Sequence, residues 1–148
     1  MEVSDRQVAG NFAPCVEVCQ ADGIPTGLAF HGIPSGHEFT SFVLGLYNAA
    51  GPGQALDEAT QEQIAAITNK TDIKILVTLS CTMCPDLVVA AQRIATANPN
   101  ITAHVYDIRH FENLKNQYNV MSVPCMVLNN QNVFFGKKNI QQILLLLK

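Results

Sequence analysis

The sequence predicts an α/β protein in which a complete β-α-β-α-β-β-α unit over residues 71–148 follows a partial β-β-α unit within residues 1–70. Apolar residues that alternate or run continuously indicate strands, and apolar residues three and four positions apart indicate helices. Gly, Pro and Asn residues separate these stretches, as expected of turns. The charges change at the same boundary: residues 1–70 carry eight acidic and two basic side chains, whereas residues 71–148 carry four acidic and seven basic ones.

The composition excludes several classes of protein. Of the 148 residues, 48% are hydrophobic, so the chain can bury a core and is not disordered. A formal net charge of −3 argues against electrostatic binding of nucleic acid. No stretch approaches the roughly 18 consecutive apolar residues of a membrane span, and the sequence does not begin with the positive-then-apolar order of a secretion signal. We therefore expect a cytoplasmic protein, without nucleic-acid or membrane partners, whose cysteines are reduced or catalytic.

The C-terminal unit is the more regular part of the sequence. Its predicted elements, in order, are a strand over 73–79, a helix from 87 that stops at Asn98 and Pro99, a strand over 101–108, a helix over 111–119, a hairpin of strands 123–128 and 133–135, and a helix over 140–147. A helix returns the chain between the first two strands, so these two are parallel. The hairpin adds two antiparallel strands. This is the element order of the thioredoxin fold.

The N-terminal part predicts the second half of the same fold. Strands are expected over 15–19 and 28–31, bridged by a loop that contains Gly23, Pro25 and Gly27. A strongly apolar helix over 39–47 follows and is closed by a Gly-Pro-Gly turn at 51–53. Asp57 is expected to cap a second, connecting helix. Residues 1–70 therefore form a partial thioredoxin-like unit that lacks a C-x-x-C sequence.

Cys81 and Cys84 form a C-x-x-C sequence where a buried strand passes into a helix. There the helix dipole and the unpaired N–H groups of the helix stabilise a thiolate. A lowered thiol pKa makes Cys81 the candidate attacking nucleophile. Cys84 is expected to be shielded and to resolve the mixed disulfide. The alternative is a pair of inert buried thiols.

Pro124 is the second candidate site residue. A proline that opens a central strand is unexpected, because it has no N–H group for the strand ladder. In thioredoxin folds such a proline is cis and lies against the dithiol, where it exposes backbone for pairing with a partner chain. The alternative is a proline that simply starts a strand.

The remaining cysteines and histidines are not expected to take part in the chemistry. Cys15 and Cys19 lie too far apart on one strand to form a disulfide, and Cys125 is expected to be a buried spectator. A zinc or iron–sulfur site needs further ligands, and neither a second C-x-x-C nor a histidine lies near the pair in sequence. Surface or loop positions are expected for the histidines His31, His104 and His110.

Several stretches resemble the N-terminal domain of the flavoprotein component of alkyl hydroperoxide reductase. They are Gly-Ile-Pro-Ser-Gly-His-Glu-Phe-Thr-Ser at 32–41, Ser-Cys-Thr-Met-Cys-Pro-Asp at 80–86, Asn-Pro-Asn-Ile at 98–101 and Val-Met-Ser-Val-Pro at 120–124. The resemblance implies a double thioredoxin-like module, in which a first unit without the dithiol is fused to a second unit that carries it. In that family the module accepts electrons from a flavin- and NADH-using disulfide reductase and reduces a peroxiredoxin.

The resemblance also implies roles for individual residues. Cys81 and Cys84 match the redox pair, Pro124 matches the cis proline, and Glu38 matches an acidic residue that the first unit lends to the dithiol. A carboxyl in a partly buried site has a raised pKa and can relay a proton to or from Cys84. The alternative for Glu38 is an acid that stabilises the first turn of its helix.

The chain departs from the family pattern in three ways. About half of the first unit is missing, Cys125 follows Pro124 where a small non-thiol residue is expected, and no Gly-x-Gly-x-x-Gly sequence occurs for a flavin or nicotinamide. We therefore expect no cofactor in this chain other than a redox-active Cys81–Cys84 disulfide. FAD and NAD(P)H would belong to an electron-donating partner or to a further domain.

Taken together, these features predict a dithiol–disulfide oxidoreductase. Electrons would pass from a flavoprotein disulfide reductase of the thioredoxin-reductase type, either separate or fused in the full-length protein, through Cys81 and Cys84 to a peroxiredoxin or other disulfide protein. One alternative is a non-catalytic adaptor that uses the thioredoxin fold to bind a partner. The other is a metal- or cluster-binding domain.

Overall fold

The computed structural model of the chain describes residues 14–148. Along this part of the chain the elements are β1 (Cys15–Cys19), β2 (Pro25–His31), α1 (Glu38–Ala50), α2 (Glu58–Ala65), β3 (Thr71–Val77), α3 (Cys84–Ala97), β4 (Ile101–Asp107), α4 (Glu112–Gln117), β5 (Cys125–Leu128), β6 (Asn132–Phe135) and α5 (Ile140–Leu146). The predicted α/β class and the predicted order of elements are confirmed.

All six strands belong to one sheet in the order β1-β2-β4-β3-β5-β6. The strand β2 pairs in parallel with β4, and β4 pairs in parallel with β3. At the two ends of the sheet, β1 and β2 pair antiparallel, as do β5 and β6. The predicted parallel pair and the C-terminal hairpin are therefore present. The division into two units at residue 70 stays a prediction, since one continuous sheet joins both parts.

The sheet is packed on both faces. On one face, α3 lies over the central strands and buries a large apolar core that also includes residues of α2 and α5. On the other face, α4 covers a smaller cluster formed by Leu76, Val120, Cys125 and Val127. The two faces alternate along each strand, as the period of a β-strand requires. None of the helices within residues 14–148 is long and apolar enough to cross a lipid bilayer.

The helix α1 packs against α3 and β2 with an unusual distribution of side chains. Its buried residues are Glu38, Ser41, Gly45 and Asn48. Apolar side chains at Phe39, Val43 and Tyr47 are exposed instead. The sequence predicts the helix and its apolar character, but its fully buried positions are polar or glycine, and only Phe42 and Ala49 of its apolar side chains pack beside them against the core. Because β2 and β3 both run parallel to β4, the helices that follow them, α1 and α3, run side by side in the same direction.

Two predicted strand boundaries are wrong. The strand β2 begins at Pro25, so Pro25 and Gly27 belong to the strand and not to the preceding loop. A proline is tolerated as the first residue of a strand. Gly27 has a φ of +92°, and a Cβ there would lie 3.0 Å from the Ile101 carbonyl oxygen of β4, so only glycine allows this pairing. At the other boundary, β5 begins at Cys125, since Pro124 has no N–H group for the ladder.

His31 and His104 lie on strands and are half-buried, which differs from the surface or loop positions expected for them. The Nε2 atom of His31 lies 3.1 Å from the Nδ1 atom of His104, and the His31 ring stacks on Tyr106 with the centroids 4.1 Å apart. Parallel pairing of β2 with β4 puts positions 31 and 106 side by side, a pairing that no sequence feature indicates. Burial lowers the pKa of His31 to about 4, so its ring is neutral at pH 7. His110 is exposed, as expected.

Candidate active site

Cys81 and Cys84 form a disulfide at the carboxyl end of β3, with their Cα atoms 5.5 Å apart. Cys81 lies in the turn between β3 and α3 and is partly exposed, whereas Cys84 is the first residue of α3 and is fully buried. A partner sulfur can therefore approach Cys81 from solvent but cannot approach Cys84 without displacing protein. This is the asymmetry that the sequence predicts for an attacking and a resolving cysteine.

The start of α3 surrounds the Cys81 sulfur with positive electrostatic potential. The Cys84 backbone N–H donates to Cys81 Sγ over 3.1 Å. Free N–H groups at a helix start, together with the helix dipole, favour a thiolate over a thiol. When the disulfide is reduced, this environment stabilises the anion that attacks a disulfide.

Val123, which directly precedes Pro124, lies near the dithiol. The Val123–Pro124 peptide bond is cis, as predicted, and Pro124 is buried. The Val123 carbonyl oxygen lies 4.0 Å from Cys81 Sγ. Since β5 pairs antiparallel with β3, the start of β5 reaches the same end of the sheet as the dithiol.

The start of α1 is hydrogen-bonded directly to the segment that carries the dithiol. The His37 backbone N–H donates to the Leu79 carbonyl oxygen over 3.0 Å, two residues before Cys81. Gly36, with a φ of +56°, approaches so closely that a Cβ would lie 2.7 Å from the same oxygen. Glycine is therefore required at position 36, and Glu38 follows it as the first residue of α1.

The position of Glu38 relative to α3 follows from a contact further along the two parallel helices. Further along, Gly45 of α1 packs directly against the side chain of Gln92 of α3. Glu38 lies seven residues before Gly45, and Pro85, which is next to Cys84, lies seven residues before Gln92. The two helices rise at the same rate, so the first turn of α1 faces the first turn of α3. This register places the start of α1, with Glu38, beside the start of α3, with Cys84.

The environment of Glu38 favours its neutral form. The side chain is 0% exposed, and Ser41 Oγ donates to its Oε1 atom. Within residues 14–148, the Oε2 atom has no hydrogen-bond partner. Burial raises the pKa of Glu38 to about 7, while the Ser41 hydrogen bond opposes this rise. A carboxyl with this pKa can both give and accept a proton near neutral pH.

Sequence reasoning missed three contributors to this arrangement: Gly36, Ser41 and the Leu79 carbonyl. Ser41 lies three residues after Glu38, so both side chains occupy one face of α1, and this spacing is a signal that could have found it. The contacts of Gly36 and Leu79 join segments more than 40 residues apart and leave no local pattern in the sequence.

The remaining cysteines lie away from the dithiol. Cys125 is fully buried, as expected, but it belongs to the cluster under α4, on the sheet face opposite to Cys84. Burial raises the pKa of the Cys125 thiol to about 11. Cys15 and Cys19 are exposed and do not form a disulfide. In the part of the chain from residue 14 onwards, no three His, Cys, Asp or Glu side chains are grouped so that they could hold a metal ion.

Comparison with known proteins identifies a matching domain family and several similar proteins. The model of the thioredoxin domain family matches residues 71–147. An NADH dehydrogenase of Bacillus subtilis is 34% identical over 143 residues, which are 97% of this chain and 28% of that protein. The alkyl hydroperoxide reductase component AhpF of Pseudomonas aeruginosa is 38% identical over 122 residues, which are 82% of this chain and 23% of that protein. The chain thus spans about a quarter of the length of these relatives.

Solved structures show the same similarity. The crystal structure of the NTD_N/C domain of alkylhydroperoxide reductase AhpF from Enterococcus faecalis superposes with a TM-score of 0.87 at 42% identity, covering 91% of this chain and 65% of that one. A protein disulfide oxidoreductase from Aeropyrum pernix superposes with a TM-score of 0.75 at 26% identity, covering 82% of this chain and 55% of that one. The thioredoxin-like fold and the resemblance to the flavoprotein component of alkyl hydroperoxide reductase are therefore confirmed.

Proposed function

The chain belongs to the thioredoxin domain family, and we propose that it relays electrons by thiol–disulfide exchange through Cys81 and Cys84. The observation that carries this proposal is the disulfide itself, with one sulfur accessible and in hydrogen-bond contact with a helix start and the other buried. An inert structural bridge needs no such asymmetry.

The exchange proceeds in two displacements. The Cys81 thiolate attacks a disulfide of the partner, which forms a mixed disulfide and releases one partner thiolate. The Cys84 thiolate then attacks Cys81 Sγ, which releases the second partner thiolate and closes the Cys81–Cys84 disulfide. The partner gains two electrons, and the Cys81–Cys84 pair loses two.

Glu38 and Pro124 support this cycle. As Cys84 changes from thiol to thiolate, Glu38 accepts its proton, and in the reverse direction Glu38 returns it. The buried Oε2 atom without a partner is the oxygen available for this transfer. Pro124 holds the Val123 carbonyl beside Cys81, where it can accept a hydrogen bond from the backbone of an extended partner segment.

The electron donor is a flavoprotein disulfide reductase that uses FAD and NAD(P)H. Support comes from the NADH dehydrogenase and AhpF relatives, which are about four times as long as this chain. The electron acceptor is a disulfide protein of the peroxiredoxin or thioredoxin type. No Gly-x-Gly-x-x-Gly sequence occurs here, so the nucleotide-dependent chemistry belongs to the donor.

The test is the cleavage of a small aromatic disulfide by the reduced protein and by three single variants, one of them a control. We expect Cys81→Ser to lower the rate constant by at least about 10³-fold, since the nucleophile is lost. Cys84→Ser should accumulate a mixed disulfide on Cys81, visible as an increase in mass. Cys15→Ser removes an exposed cysteine outside the pair and serves as the matched control, with an unchanged rate. Cleavage by Cys81→Ser at the parent rate would favour a non-catalytic adaptor.

A further inference from the structure

An open groove of about 1070 Å³ runs between α1, α2, α3 and the segment that leads into α5. The α1 side of the groove is formed by Thr40, Ser41 and Leu44, and the α3 side includes Pro85 and Asp86. Pro85 follows Cys84 directly, so the groove begins next to the buried half of the dithiol. The groove therefore brings solvent close to a part of the site that is otherwise closed.

Glu38 itself has no access to this solvent. Its side chain is 0% exposed, and the group that contacts its Oε1 atom is the Ser41 hydroxyl. Ser41 Oγ also lies 3.0 Å from the Glu38 carbonyl oxygen, to which its proton can be donated. Ser41 is itself only 1% exposed, but unlike Glu38 it is among the residues that line the groove, so it contacts both the carboxyl and the groove.

We propose that Ser41 is a positioning residue that carries protons between the buried Glu38 carboxyl and the groove. A hydroxyl has one proton to donate and two lone pairs that accept, so it can receive a proton on one side and release its own on the other. This inference rests on the proposed function in one respect, which is that the proton is used in the thiol–disulfide exchange of Cys84.

The transfer balances in each direction. When Cys84 leaves as a thiolate during reduction of the disulfide, it takes the proton of Glu38. The Glu38 carboxylate takes the Ser41 hydroxyl proton, and Ser41 takes a proton from water in the groove. One proton enters the protein for each Cys84 thiolate that becomes a thiol, and the reverse reaction releases one proton to the groove. No electrons move through Ser41.

Charged groups surround the groove on several elements and set the potential at its mouth. The Lys137 ammonium lies 4.0 Å from the Asp86 carboxylate, so these two charges partly compensate each other. The charged residues that form the groove are Asp57 before α2, Asp86 and Arg93 on α3, and Lys137 and Lys138 before α5. The groove therefore carries charges of both signs and not a potential of one sign.

The direct test follows the Glu38 proton by infrared spectroscopy. The pH is set below 7 and above the titration range of ordinary carboxyls, so that Glu38 is protonated and ordinary carboxyls are not. The C=O stretch of a protonated carboxyl then reports on Glu38. The band is assigned by its loss in Glu38→Gln. We expect the band to shift within the mixing time when the protein is transferred to D₂O. In Ser41→Ala this exchange should slow by about tenfold or more, because the proton then needs a local opening of the helix pair.

Two variants separate a proton path from a structural role. Thr40→Ala removes a neighbouring hydroxyl that also lines the groove, and it should exchange at the parent rate. Ser41→Thr keeps a hydroxyl at the position and should restore fast exchange. Thermal unfolding of each variant establishes that the fold is retained. Slow exchange in Thr40→Ala, or no recovery in Ser41→Thr, would overturn the assignment.

A second readout is the pH profile of disulfide cleavage. The Ser41 hydrogen bond favours the Glu38 carboxylate, so its removal should move the inflection that belongs to Glu38 to higher pH. The same substitution should have no further effect in a Glu38→Gln background. An unchanged profile together with unchanged deuterium exchange in Ser41→Ala overturns the inference. Failure of the parent protein to cleave any disulfide would instead overturn the proposed function, since the infrared measurement needs no exchange activity.

Discussion

The two helices that meet at the dithiol bury opposite kinds of side chain. The helix α3 buries a continuous apolar face, with Leu87, Val88, Ala91 and Ile94 all at 0% exposure. The helix α1 buries a glutamate, a serine, a glycine and an asparagine, and it leaves Phe39 and Tyr47 more than half exposed.

This difference assigns separate tasks to the two helices. Burial of apolar surface is the main favourable term in folding, so α3 stabilises the domain. A buried carboxyl costs free energy unless it stays protonated or is paired, so Glu38 does not stabilise α1. Under the proposed function, the buried polar face of α1 supplies Cys84 with a group able to exchange a proton near pH 7.

The largest effect is expected from matched truncations on the two helices. Ile94→Ala removes a fully buried side chain of α3 and should lower the free energy of unfolding by about 3 kcal/mol, from lost burial and the cavity that remains. Val43→Ala removes a 43% exposed side chain of α1 and should change the free energy of unfolding by less than about 0.5 kcal/mol. Denaturant unfolding measures both. Equal losses would mean that the exposed face of α1 is covered in solution.

A smaller effect on the free energy of unfolding is expected where α1 is hydrogen-bonded to the segment that carries the dithiol. Gly36→Ala would place a Cβ 2.7 Å from the Leu79 carbonyl oxygen at a positive φ, and it should destabilise the fold by roughly 1–2 kcal/mol. The matched control is Gly23→Ala, which has a φ of +88° but no atom within 4 Å of the new Cβ.

The control separates backbone strain from the clash with Leu79. We expect Gly36→Ala to slow disulfide cleavage because Glu38 moves away from Cys84, whereas Gly23→Ala should leave cleavage unchanged. If the two variants lose the same stability and both cleave disulfides normally, the contact of α1 with Leu79 does not position the site.

A pH-dependent effect on stability is expected from Glu38 itself. Its pKa is about 7 in the folded chain and 4.5 as the ordinary value. Between these two values the folded protein holds a proton that the unfolded chain has released, so stability should fall as the pH rises from about 4.5 to 7. Glu38→Gln lacks this proton and should show a flatter profile over the same range. Urea unfolding at several pH values measures the difference, and parallel profiles would contradict a raised pKa.

The sequence was sufficient for the regular C-terminal unit and for the dithiol. Period-two apolar runs, the Asn-Pro stop after α3 and the C-x-x-C at a strand–helix junction are local signals, and each predicted element is present. Glu38 was found through family resemblance, since an acid in the first turn of a helix has an ordinary local explanation.

The parts that the sequence could not supply depend on contacts between distant segments. Pairing of β2 with β4 makes His31 and His104 neighbours, and no local pattern encodes which strands become adjacent. The buried face of α1 is another example, because apolar periodicity favours burial of Phe39 and Tyr47 whereas packing against α3 selects the opposite face. Tertiary contacts override local preference in both cases.

The reduction potential of the Cys81–Cys84 pair tests the central claim most directly. It is measured by equilibration in glutathione or dithiothreitol buffers, followed by trapping of the free thiols. A redox-active pair should have a potential above about −300 mV, in the range of thioredoxin-type proteins, and its reduced form should cleave a model disulfide. A potential far below about −300 mV, with no cleavage by the reduced form, would identify a structural bridge and contradict the account.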